Sequence, residues 1–136
     1  MKYNVKELLK LAKDIANNSY SPYSHFRVGS VILTKNGNIY KGVNVENRSY
    51  GATICAERSA ISSALTNGEN QFIAIAIVGL DSEEILPPCG ICRQIISEFG
   101  KDIDVIMANK YLKYKIVKIS KLLPFDSLHN LKKNIL

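Results

Sequence analysis

Gln71-Phe72-Ile73-Ala74-Ile75-Ala76-Ile77-Val78-Gly79-Leu80 is a continuous apolar run. It lacks the alternation of a half-exposed strand, so it predicts a strand covered on both faces. Such a strand needs helices above and below its sheet, and the flanking sequence supplies them. Residues 54–67 predict a helix ending near Gly68, and residues 89–99 predict a short helix stopped by Gly100. Further out, residues 4–17 place Val5, Leu8, Leu9, Ala12, Ile15 and Ala16 on one helical face, with Asn4 and Glu7 as a capping pair. Residues 26–34 and 39–46 predict a hairpin around Asn36-Gly37, a two-residue turn signal. Residues 103–108 and 115–119 predict the last strands. The segment 19–25, which contains Pro22, reads as a turn-rich loop. Together these elements predict an α/β fold: a three-layer α/β/α sandwich around a mixed sheet of about five strands.

A length of 136 residues with 46% apolar content fits one domain, residues 1–136, with a real core. No run of about 18 apolar residues occurs, so no membrane span is expected. The first residues enter the amphipathic pattern directly, without the apolar region of a signal peptide. The net charge is +6, carried by lysines along the whole chain. Lys132-Lys133 is the one adjacent basic pair. A nucleic-acid partner would need a clustered basic footprint, so none is expected.

The cysteines are Cys55, Cys89 and Cys92, set in Cys55-Ala56-Glu57-Arg58 and Pro87-Pro88-Cys89-Gly90-Ile91-Cys92-Arg93-Gln94. Three cysteines, all inside metal-like motifs, argue against a disulfide framework and for a cytoplasmic location. Three thiolates leave the fourth position of a tetrahedral zinc open, as a catalytic zinc requires. One zinc per chain is therefore expected, and zinc lowers the pKa of bound water from about 15.7 to about 7. The competing reading is a closed structural site completed by His25 or His129. Neither histidine has partner spacing, and both are expected to be non-catalytic. CxxC alone also reads as a redox pair. CxE followed by PCxxC is more specific and matches the zinc-deaminase signature, with cysteine in place of the commoner histidine.

The helix boundaries place Cys55 in the first turn of the second helix, and Cys89 and Cys92 in the first turn of the third. Helix N-termini favour ionised thiols. Three thiolates outweigh the charge of zinc, so charge must be withdrawn from the sulfurs. Arg58, one helical turn after Cys55, and Arg93, beside Cys92, are the candidates for that tuning.

Four motifs carry a family resemblance. They are Ser21-Pro22-Tyr23-Ser24-His25-Phe26-Arg27-Val28-Gly29, Gly42-Val43-Asn44-Val45-Glu46-Asn47, the Cys55 motif and the Cys89 motif. In this order, over almost the whole chain, they resemble the short, homotetrameric cytidine deaminases. The resemblance implies a cytidine deaminase-like fold. It also implies zinc-dependent deamination of cytidine and 2′-deoxycytidine to the uridines, with release of ammonia in pyrimidine salvage. Glu57 becomes the proton shuttle: hydroxide adds at C4, the carboxyl protonates N3, and the departing amine takes a proton.

Asn44 and Glu46, two apart on a strand, share a face. The resemblance makes them ribose ligands, chiefly on the 3′ side. It places Phe26 against the pyrimidine and the Ala56 backbone at its carbonyl. Tyr50 and Phe125 match aromatics that enter a neighbouring subunit's site, which implies a homotetramer with sites at its interfaces. Two departures stand out. Phe125 follows Pro124 directly, where relatives usually have two more residues before the aromatic, and Ser59 replaces a usual threonine. Two rivals remain: a deaminase of a cytosine-nucleoside antibiotic of the blasticidin S type, and a zinc-containing RNA-binding or editing module. The Asn44-Val45-Glu46 pattern favours the ordinary nucleoside.

Overall fold

A computed structural model describes residues 3–127 and 131; His129 and the Lys132-Lys133 pair lie outside the described residues. The run at 71–80 forms the middle of the sheet. Strand β3, Phe72–Gly79, lies between β1, Val28–Thr34, and β4, Asp104–Ala108. The edges are β2, Ile39–Val43, and β5, Tyr114–Lys118, giving the order β2-β1-β3-β4-β5. β3 and β4 run parallel, and the other three pairings are antiparallel, so the sheet is mixed as expected.

Side chains alternate across β3. Ile75 and Ile77 face one helical layer, made by α2, Ala56–Thr66, and α3, Gly90–Ser97. Ala74, Ala76 and Val78 face the other, made by α1, Val5–Ala16. All five are fully buried, which is why the run shows no polar alternation. A fourth helix, the single turn Ile119–Leu122, follows β5.

Two glycines set how closely the helices approach. A Cβ on Gly29 would sit 1.9 Å from the Ala12 carbonyl oxygen in α1. A Cβ on Gly42 would sit 2.2 Å from the Ala60 nitrogen and 2.6 Å from the Ala56 oxygen in α2. The α2 backbone therefore lies directly on β2, and its N-terminus is fixed beside the end of that strand.

Element ends differ from expectation for identifiable reasons. α1 begins at Val5, after the N-cap Asn4, whose side chain accepts the Glu7 N–H at 3.1 Å. α2 ends in a Schellman closure: Glu69 N–H reaches Ala64 O and Gly68 N–H reaches Leu65 O, with Gly68 at φ +84°. The β1–β2 hairpin has three loop residues, not two. Gly37 N–H bonds Thr34 O, Thr34 N–H bonds Asn38 O, and Gly37 takes a φ of +86°. That is a type I turn closed by a left-handed glycine rather than the expected two-residue turn.

β2 stops at Val43, short of the expected residue 46. There the Asn44 side chain takes over pairing with the start of β1, and Val45 bridges instead to Tyr20 and Ile54. The charge reading also needs correction. Residues 110–118 hold Lys110, Lys113, Lys115 and Lys118 around Tyr111 and Tyr114, a local basic cluster. Lys110 pairs with Glu83 and Lys118 with Asp104. The stretch ends in edge strand β5, where lysines discourage pairing with another sheet. Among the described residues, no helix is long and apolar enough to cross a membrane.

Candidate active site

The three cysteines meet where α2 and α3 begin. Cys55 and Cys89 are the N-caps of their helices, one residue earlier than expected, and Cys92 lies in the first turn of α3. The Cys55 carbonyl accepts the Ser59 N–H, and the Cys89 carbonyl accepts the Arg93 N–H at 2.9 Å. Neither cysteine side chain caps its own helix, so both sulfurs remain available to a ligand. The three Sγ atoms all lie within 4.8 Å of one another, with Cys55 and Cys89 3.8 Å apart. Tetrahedral zinc with Zn–S bonds of about 2.3 Å needs sulfurs about 3.8 Å apart. The residues therefore fit one zinc ion. Cys92 is buried, Cys55 half-buried and Cys89 exposed, which leaves the cluster open on one side.

The surroundings of Cys55 suit an ionised thiol. Hydrogen bonds from the Cys92 and Cys89 thiols and from Arg58 pull the Cys55 thiol well below its usual range. Cys92, buried and bonded to Cys55, is pushed up. Arg58 donates Nη2–H to the Thr53 carbonyl at 2.9 Å, while its buried Nε has no hydrogen-bond partner. This partly buried guanidinium thus keeps a spare donor near the sulfurs. Arg93 is placed differently. It donates Nε–H to Pro88 O at 2.9 Å and Nη1–H to Leu122 O at 3.0 Å, tying the loop that carries Cys89 to α4.

Glu57 is the second residue of α2 and only 4% exposed. Burial, with the Cys55 thiolate beside it, pushes its carboxyl up to about 7. A carboxyl with that pKa both takes and gives a proton near neutrality. Ala56, fully buried, is the first residue of α2, so its N–H has no intrahelical acceptor.

Asn44 and Glu46 flank the exposed Val45, beyond the end of β2. Both are already engaged by the 19–28 segment. Asn44, 8% exposed, donates Nδ2–H to Phe26 O at 2.8 Å. Its Oδ1 accepts from Val28 N–H at 3.0 Å and from Ser19 Oγ at 2.5 Å. Glu46 Oε1 accepts the N–H groups of Tyr23 and Ser24, each at 3.1 Å, and Oε2 accepts the Ser24 hydroxyl. Phe26 is partly buried against the α2/α3 layer, with its ring beside Gly79.

Tyr50 is 76% exposed and meets Tyr23 edge-on with centroids 6.0 Å apart. The two rings, with Ser24, Glu46 and Thr53, line an open cleft of about 350 Å³. Phe125 is wholly exposed and takes a left-handed φ of 55°. His25, at φ 57°, lies in the loop and outside the sulfur cluster.

Sequence reasoning missed the residues that hold this loop: Ser19, Ser24 and the Arg27–Asp81 pair. Serine in a turn-rich segment is a known signal for a side chain bonding nearby backbone, and that signal could have found Ser24. Asp81 carried no comparable signal, because its partner lies 54 positions away.

An open three-thiolate cluster with a buried carboxyl at its edge, on an α/β/α sandwich, defines a metal-dependent hydrolase. The chain belongs to the cytidine and deoxycytidylate deaminase family, whose zinc-binding region matches residues 2–108. It is 41% identical over 118 residues to a cytidine deaminase of Halalkalibacterium halodurans, covering 86% of this chain and 89% of that one. It is also similar to the crystal structure of a cytidine deaminase from Burkholderia pseudomallei, with a TM-score of 0.87 and 38% identity, covering 90% of this chain and 98% of that one. A blasticidin-S deaminase of Bacillus cereus is 34% identical over 133 residues, covering 91% and 92% of the two chains.

Proposed function

We propose that this chain hydrolyses cytidine and 2′-deoxycytidine to uridine and 2′-deoxyuridine with release of ammonia. The observation that carries the reading is the buried Glu57 carboxyl, two residues from Cys55 at the edge of the three-sulfur cluster. Cys55, Cys89 and Cys92 would hold the zinc, which when bound would bring the pKa of a water near neutrality. Glu57 takes a proton from the attacking water and gives it to pyrimidine N3 as the oxygen bonds to C4; it then carries the proton of the new C4 hydroxyl to the amine, and the C4–N bond breaks to release ammonia as the C4 carbonyl forms. Phe26 packs on the pyrimidine, and the Ala56 N–H holds its carbonyl oxygen. Asn44 and Glu46 meet the 3′ side of the sugar, Glu46 from the wall of the cleft. Arg58 draws charge from the sulfurs, while Arg93 holds the Cys89 loop in place.

The working form is a homotetramer in which Tyr50 and Phe125 enter a neighbouring chain's site. The exposure of both rings supports this over packing within their own chain. The role is pyrimidine salvage in the cytoplasm.

The similarity to blasticidin-S deaminase keeps the antibiotic reading in view. One assay separates the readings: ammonia release from cytidine, from blasticidin S and from cytidine within RNA. The proposal expects release from the free nucleoside. Activity on blasticidin S or RNA with none on cytidine would overturn it.

A further inference from the structure

Glu46 does not meet the cleft as a free side chain. The 23–24 turn fills three of its acceptor positions, two on Oε1 and one on Oε2. An ionised carboxylate has about four such positions. One remains, on Oε2, and the group beside it is the Ser24 hydroxyl.

That hydroxyl is itself oriented. Its oxygen accepts the Phe26 N–H at 3.0 Å, so its own proton is left for Glu46. A serine hydroxyl serves both ways because it has one hydrogen and two lone pairs. The turn geometry makes this possible. His25 takes a φ of 57°, a region open to histidine more than to most residues, and its N–H returns to Ser21 O at 2.9 Å. The chain thereby doubles back, and Phe26 N–H reaches Ser24 across one residue, as serines in turns favour.

We infer that Ser24 is a positioning residue for sugar recognition, acting through Glu46. It fixes the carboxylate and aims its one free acceptor position into the cleft beside Tyr23 and Tyr50. This deepens the proposed function and rests on its reading of Glu46 as a ligand of the sugar 3′ side. A carboxylate immobilised beforehand loses no rotamer freedom when substrate binds. The same bonds, the Ser24 hydroxyl first among them, hold the Glu46 carboxyl below its usual range, so it stays an acceptor.

The test compares cytidine with 3′-deoxycytidine, which lacks the hydroxyl that Glu46 would accept. Ser24→Ala should lower kcat/KM for cytidine about five- to tenfold, the scale of one hydrogen bond, mainly through KM. On 3′-deoxycytidine its effect should stay within about twofold. Combined with Glu46→Ala it should add nothing further, as expected for residues acting as one unit. Ser24→Thr restores the hydroxyl and should restore the preference for cytidine. Ser24→Cys, close in size but a weak donor, should behave like Ser24→Ala and covers the case in which alanine unsettles the loop. Equal losses on both substrates, or losses that add to those of Glu46→Ala, would reduce Ser24 to a loop staple and overturn the inference. Glu46→Ala alone separates the two levels. If it does not cost cytidine more than 3′-deoxycytidine, the sugar reading itself falls. If it does and Ser24→Ala does not, only the role of Ser24 falls.

Discussion

Asn44 donates to the Phe26 carbonyl at 2.8 Å and accepts from the Val28 N–H at 3.0 Å. The amide that the motif assigns to the sugar therefore also holds the residue assigned to the base. Both bonds are made where β2 releases β1, at the end of the strand.

Asn44→Ala should accordingly do two things. It should raise KM for cytidine, and it should cost about 1–3 kcal/mol of stability, because buried backbone groups lose their partners. Denaturant unfolding and initial-rate kinetics on the same preparation measure both. A variant as stable as the parent would show that the loop does not depend on this amide.

Glu57→Gln keeps the size of the side chain and removes the proton carrier. Turnover should fall at least about 10²-fold, the low end for general acid–base catalysis. Zinc content, read by metal analysis, should stay at one per chain. Near-normal turnover would take Glu57 out of the mechanism.

The fold and the metal site were legible in sequence to different depths. The apolar run at 72–79 announced a doubly covered strand because burial on both faces leaves no polar alternation. The cysteines announced their cluster because ligand chemistry tolerates few residue types. The single helical turn at 119–122 was not foreseen, since four residues carry no readable period. The three-residue hairpin loop was missed because Asn36-Gly37 reads identically in a tighter turn. Arg93 was proposed from its place after Cys92 in sequence, and two of its donors go to the Pro88 and Leu122 carbonyls. Sequence adjacency on a helix says little about direction, because neighbouring residues point about 100° apart.

Arg58 is the better candidate for tuning the sulfurs, since a buried donor is held in reserve there. Arg58→Ala should lower metal affinity or turnover about 10- to 100-fold, as expected for a residue that supports metal ligands. Competition with a zinc chelator, followed by assay at saturating zinc, separates the two effects. Unchanged chelator resistance together with unchanged turnover would make Arg58 only a staple to Thr53.

Glu69 gives a pH prediction away from the metal. Hydrogen bonds from Thr34, Tyr40, Asn38 and Asn36 hold its carboxyl at about 2, below the ordinary 4.5. A depressed carboxyl stabilises the fold fully above its unfolded pKa, and the contribution is lost as pH falls through the folded one. The stability gap between the parent chain and Glu69→Gln should therefore be widest above pH 4.5 and close towards pH 2. Denaturant midpoints across that range test it. A gap that does not change with pH would assign the effect to packing rather than charge.

The last prediction concerns what the exposed rings are for. Phe125 is wholly exposed in a left-handed conformation, and Tyr50 is 76% exposed at the rim of the cleft. Large aromatic surface left in water asks for a partner, and at Tyr50 that partner would also help exclude water from the cleft. Closed point symmetry lets copies of one chain supply it, and four chains in dihedral arrangement are a common solution. Light scattering at micromolar concentration should give four chains, and an active monomer would end the shared-site idea. Co-expression then tests the sharing itself. A Glu57→Gln chain lacks the proton carrier but keeps its rings, while a Tyr50→Ala or Phe125→Ala chain keeps the carrier but lacks a ring. In mixed assemblies some sites combine Glu57 of one chain with the intact ring of another. Activity should then exceed that of either variant alone. If it only averages the two, each ring serves its own chain and the interface site is wrong.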